Sequence, residues 1–75
     1  MKIKYWIRKD GNLARVYRDT GEGRWLQYWS GVSRDWCRSS LGVIETKCSN
    51  FVEISEWESR LEQQATNERV AALDK

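Results

Sequence analysis

The sequence predicts an α+β domain, an antiparallel meander of three to five strands packed against one C-terminal α-helix. Three observations carry that prediction. Residues 2–8 alternate in character, an Asp10-Gly11 pair follows them, and Ser55-Glu56-Trp57-Glu58 opens a helical pattern near the C-terminus. Period-two alternation marks a strand with one apolar face. Asp-Gly suits a two-residue type I′ hairpin turn, because both central residues of that turn need positive φ. Ser-x-x-Glu is the capping box, in which the first and fourth residues satisfy each other's free backbone donors.

The first strand places Ile3, Tyr5 and Ile7 on one face and Lys2, Lys4, Trp6 and Arg8 on the other. With Asp10-Gly11 as the loop, the return strand Leu13–Arg18 pairs Ile7 with Ala14, Trp6 with Arg15, Tyr5 with Val16 and Lys4 with Tyr17. Apolar then meets apolar on one face and aromatic meets cation on the other. The two glycines of Asp19-Thr20-Gly21-Glu22-Gly23 suit a three-residue loop with a bulge, and Arg24–Trp29 forms the third strand. In that register Leu26 and Tyr28 join the apolar face, while Trp25 and Trp29 join the basic one.

Residues 30–42 carry the weakest pattern; Ser33-Arg34-Asp35-Trp36 reads as one helical turn. Val43–Thr46 and Phe51–Ile54 read as short strands around a Cys48-Ser49-Asn50 turn. Ser55 then caps a helix over 55–73 that places Trp57, Leu61 and Ala65 on one apolar stripe at i, i+4 and i+8. The whole chain, 1–75, is a single domain, β-rich over 2–54. A small SH3-like barrel with a peripheral helix is the alternative, reached if the strands near 43–46 and 51–54 close the sheet.

Size sharpens what the aromatics must do. A chain of 75 residues buries only about 60% of its unfolded surface. Its five Trp, three Tyr and one Phe therefore supply much of the core, since a buried aromatic removes roughly 150–250 Å² from water. The net charge is +2, but residues 1–50 hold ten Lys/Arg against five Asp/Glu, and residues 51–75 hold three against six. That asymmetry fits a polyanionic partner or the docking of one half on the other.

Composition also narrows the chemistry. There is no His, and the two cysteines are Cys37 and Cys48, so neither a zinc site nor a Cys–His nucleophile has its usual residues. Phosphate loops and dinucleotide fingerprints are absent from the sequence. Asp35 and Glu45 are the only acid–base pair worth naming, and nothing in their spacing brings them together. The expectation is a cytoplasmic, non-enzymatic chain without cofactor or metal and without a membrane span. The candidate binding residues are Lys4, Trp6, Arg15, Tyr17, Trp25 and Trp29 on the basic-aromatic sheet face. A protein partner or a homodimer is the first expectation for that face, because Trp, Tyr and Arg dominate interface hot spots. Single-stranded nucleic acid, whose bases stack on rings while phosphates meet cations, is the second. A small metal-free nuclease is the third.

Overall fold

Four strands run up and down in chain order, and a fifth returns to the far edge. They are β1 (Lys4–Asp10), β2 (Leu13–Asp19), β3 (Trp25–Ser30), β4 (Asp35–Gly42) and β5 (Phe51–Ile54), followed by the helix α1 (Glu56–Leu73). The structure is a computed structural model and describes residues 3–10, 13–48 and 50–73. All pairings are antiparallel, in the order β4-β3-β2-β1-β5. The fold is α+β: an open five-stranded sheet against one C-terminal helix.

The SH3-like closure does not form among the described residues. Residues 43–46 are not a strand; Val43–Lys47 is a short 3₁₀ helix that bridges the two edge strands. It is held at one end by the Val43 N–H donating to the Arg24 carbonyl (2.7 Å) and at the other by the Cys48 N–H donating to the Glu45 carbonyl (3.0 Å). Residues 33–36 also depart from expectation. Gly31–Arg34 is a turn, and Trp36 lies in β4 opposite Trp29.

The register of the first hairpin is displaced by two residues. Gly11 of the expected Asp10-Gly11 turn lies outside the described residues, and the described ladder runs Asp10↔Leu13, Ile7↔Val16 and Trp6↔Tyr17. A shift of two preserves the faces, so Tyr5, Ile7, Ala14 and Val16 share one side as the alternation requires. The second hairpin behaves differently. Tyr17 pairs with Tyr28 and Arg18 with Gln27, three residues from the expected register. An odd shift turns the whole strand over.

The cause is the β2–β3 connection. It extends over Thr20–Arg24, with Gly21 and Gly23 at φ 80° and 78°. The Asp19 carboxylate accepts the Gly21 N–H at 2.9 Å, a local Asx turn that begins the loop. Leu26 and Tyr28 consequently join Tyr17, while Trp25 and Trp29 join Val16.

Both faces therefore carry core. On the Tyr17 face, Tyr17, Leu26 and Phe51 are buried together, with Trp6, Tyr28, Leu41 and Val43 packed around them. The rings of Tyr17 and Phe51 lie 5.4 Å apart in a tilted arrangement, a geometry favoured by the ring quadrupoles. On the Val16 face, Ile7 and Val16 are buried, and α1 lies across β1, β2 and β3.

The helix begins as the capping box requires. The Ser55 N–H donates to Glu58 Oε1 (3.2 Å), and the Glu58 N–H donates to Ser55 Oγ (3.1 Å). The docked side is not the one its apolar stripe suggested. Ser59 is 0% exposed, whereas Trp57 and Leu61 are 68% and 51% exposed. Two residues on an α-helix subtend about 200°, so Trp57 points away from a sheet that Ser59 faces, while the half-exposed Leu61 lies at the rim of the interface beside Ile7, Val52 and Ile54. Small and polar groups permit a close approach: a Cβ on Gly31 would lie 2.7 Å from Val70 Cγ2 and 2.9 Å from the Thr66 carbonyl oxygen.

Candidate binding surface

The six residues expected to form one basic-aromatic face are divided by the turned-over β3. Lys4, Trp6, Arg15 and Tyr17 lie on the Tyr17 face, and Trp25 and Trp29 on the Val16 face. Tyr17 is 2% exposed at the centre of the core, and Trp6 packs directly against that cluster. Lys4 and Arg15 are exposed at its margins. Arg15 and Arg8 oppose one another across the ladder, a like-charge pairing that disfavours a sheet. They are accommodated on separate rings, with Arg8 5.8 Å from the Phe51 centroid and Arg15 5.9 Å from that of Tyr28.

Trp29 is half-buried, and its indole N–H donates to Asn67 Oδ1 at 2.8 Å. That bond ties β3 to the helix. Its ring also meets Trp36 edge-on at 5.4 Å. Trp25 alone of the six is both aromatic and exposed, at 39%.

A different basic-aromatic surface occupies the Val16 face beyond the helix. Tyr5, Arg18, Gln27 and Arg38 stand in one cross-strand row, each opposite the next from β1 to β4. The Arg18 Nε–H donates to Gln27 Oε1 at 2.6 Å, and its guanidinium lies 4.5 Å from the Trp36 centroid. Tyr5 approaches the same indole from β1, at 6.2 Å. Trp25 closes the row's outer end, with Arg24 and Arg38 at 5.4 and 5.8 Å from its ring centroid.

Strand period explains the charge of this surface. Successive side chains alternate between faces, and the strand carboxylates Asp19, Asp35 and Glu53 all fall on the Tyr17 side. Among the described residues, the strands present no Asp or Glu on the Val16 face. The ion pair Arg60–Glu56, at 3.6 Å, lies within the helix, and it is the only one among the described residues. Thus the sheet arginines rest on aromatic rings and an amide rather than on carboxylates.

Sequence reasoning misses Arg18, Gln27, Trp36 and Arg38 for two reasons. It takes the loop that sets the β3 register as too short, and it reads 33–36 as a helical turn. The signal that could have found them is the alternation Trp36-Cys37-Arg38-Ser39, which reads as a strand.

Remaining reactive groups stay apart. Cys37 and Cys48 are both free thiols. Asp35 accepts the Trp36 N–H (2.7 Å), and Glu45 accepts the Cys48 thiol proton (3.6 Å). No described helix is long and apolar enough to cross a membrane. No protein-family model, curated protein or solved structure matches this chain.

Proposed function

We propose that this chain is a non-enzymatic binding module that takes single-stranded nucleic acid on the open half of its Val16 face. The observation that carries the reading is the row Tyr5–Arg18–Gln27–Arg38, flanked by Trp36 and Trp25, with no strand carboxylate on that face among the described residues. A face of this kind attracts phosphates without first breaking an internal ion pair, and its rings and guanidinium planes offer stacking surfaces to bases. We place the module in the cytosol, where Cys37 and Cys48 remain thiols.

Titration with a labelled oligothymidylate tests it. Binding at low salt should weaken steeply as salt rises, because released counterions drive association. Replacing Arg18 or Arg38 by Ala should each flatten the log–log salt slope by about 0.7 for every phosphate the arginine neutralises. Absence of binding at about 20 mM salt removes the reading.

A protein partner, or a second copy of the chain, is the other reading, and a separate observation favours it. Val52 on the edge strand β5 and Trp57 and Leu61 on the helix are exposed near one another in sequence, and unpaired strand edges invite a further strand. Light scattering across a concentration series tests self-association. A mass that stays monomeric throughout excludes the second copy.

A further inference from the structure

We infer that Trp25 is the base-stacking position of this surface, with Arg38 and the exposed hydroxyl of Ser40 receiving the phosphate beside the stacked base. The inference rests on the nucleic-acid reading and assigns one nucleotide subsite within it.

Elimination among the indoles supports the choice. Trp6 is packed against the Tyr17 core. Trp29 is half-buried and bonded to Asn67. Trp36 is half-buried, with the Arg18 guanidinium on its ring at 4.5 Å and Trp29 and Tyr5 around it. Only Trp25 and Trp57 are exposed. Trp57 stands between Glu56 and Glu58 in the first turn of the helix, where carboxylates repel a phosphodiester. Trp25 stands between cations.

The local backbone presents the Trp25 ring. Trp25 opposes Gly42 across β3 and β4, and the register slips between Trp25 and Gln27, so β4 bulges there. Gly42 has no side chain to cover the indole, and a bulge commonly re-aims the side chains beside it. One hollow against the ring is lined by Arg38, Ser39 and Ser40. Ser39 is buried, its Oγ accepting the Leu41 N–H at 2.8 Å, whereas Ser40 is exposed beside Arg38 and its hydroxyl can donate. A second hollow on the ring is lined by Arg24, Val43, Ile44 and the carboxylate residue Glu45. The acidic residue on that side directs the phosphate to the Arg38 side.

The two guanidiniums near Trp25 are farther from its ring, at 5.4 and 5.8 Å, than Arg18 is from Trp36 at 4.5 Å. They flank Trp25 without sealing it, as its 39% exposure shows. A base can therefore reach the ring while its phosphate meets Arg38.

The test compares two strands of equal length and charge, an oligothymidylate and its abasic counterpart, against the intact chain and the variants Trp25→Ala and Trp25→Phe. Stacking on one ring predicts that Trp25→Ala weakens the thymidylate strand about fivefold or more and leaves the abasic strand unchanged. Trp25→Phe should restore most of the difference, which separates loss of the ring from loss of the fold. Equal weakening of both strands by Trp25→Ala, or none for either, overturns the Trp25 assignment while the nucleic-acid reading survives. Failure of the intact chain to bind either strand at low salt overturns both.

Discussion

At the scale of single residues, two backbone positions decide more than their side chains suggest. Arg34 closes the β3–β4 turn at φ 55°, and its N–H donates to the Ser30 carbonyl at 2.8 Å. A side chain in the left-handed region costs roughly 1–2 kcal/mol, partly offset by the greater freedom glycine has in the unfolded chain. Arg34→Gly should therefore stabilise the domain by about 0.5–1 kcal/mol, read as a rise of a few degrees in Tm. A fall in Tm would show that the arginine side chain contributes more than its backbone costs. Gly31 is the converse. Its Cβ would press on Val70 Cγ2 and on the Thr66 carbonyl, and backbone cannot step aside as a flexible side chain can. Gly31→Ala should cost about 1–3 kcal/mol, with amide exchange accelerating first over the helical turns around Thr66 and Val70. Neither constraint is legible in the sequence, where Ser30-Gly31 reads only as the end of a strand. The groups that fix Gly31 belong to Thr66 and Val70, far along the chain.

At the scale of elements, legibility follows the sequence distance of the determining contacts. The helix start is readable because Ser55 and Glu58 satisfy each other across three residues. Ser55→Ala should cost about 1 kcal/mol. Little further loss on adding Glu58→Ala would mark the two as one unit in a double-mutant cycle. The docking face of the same helix is not readable, since Trp57, Leu61 and Ala65 make the stronger apolar stripe. What wins is close approach: Ser59 is fully buried and donates its hydroxyl proton to the Glu56 carbonyl at 2.7 Å, so a polar residue enters the interface with its donor satisfied. Accordingly Trp57→Gln should change stability by no more than about 0.5 kcal/mol, and Ser59→Leu should cost more than about 1 kcal/mol by overpacking. Equal losses would place the stripe against the sheet after all. The sheet shows the same rule. Alternation in β1 and β2 assigns Tyr5, Ile7, Ala14 and Val16 correctly to one face despite the two-residue displacement. For β3 the expected register is off by three residues, and alternation then moves every side chain to the wrong side. The candidate surface is rebuilt rather than abolished: cations and aromatics do share a face, but Arg18, Trp36 and Arg38 replace Lys4, Trp6, Arg15 and Tyr17 beside Trp25.

At the scale of the whole molecule, the question is what the division into a basic half and an acidic half accomplishes. Two uses are open, internal docking or an external polyanion, and they predict opposite responses to salt. The acidic helix does lie on the sheet, yet among the described residues no ion pair joins the two. Its contacts with the rest of the domain include the buried Ser59, the small-residue approach at Gly31 and the Trp29–Asn67 bond. The sheet meanwhile holds like charges opposite one another, as in Arg8↔Arg15, and gathers Arg18 and Arg38 on one face. Screening such repulsion stabilises a folded chain, whereas screening a helix–sheet attraction weakens it. Tm should therefore stay level or rise as salt increases from about 50 to about 500 mM, because the Debye length falls below the spacing of these charges. Over the same range the affinity for an oligonucleotide should fall by orders of magnitude. A Tm that drops with salt alongside the affinity would mean that the basic half is already engaged by the chain's own helix. The surface around Trp25 would then be a by-product of internal neutralisation rather than a site for a partner.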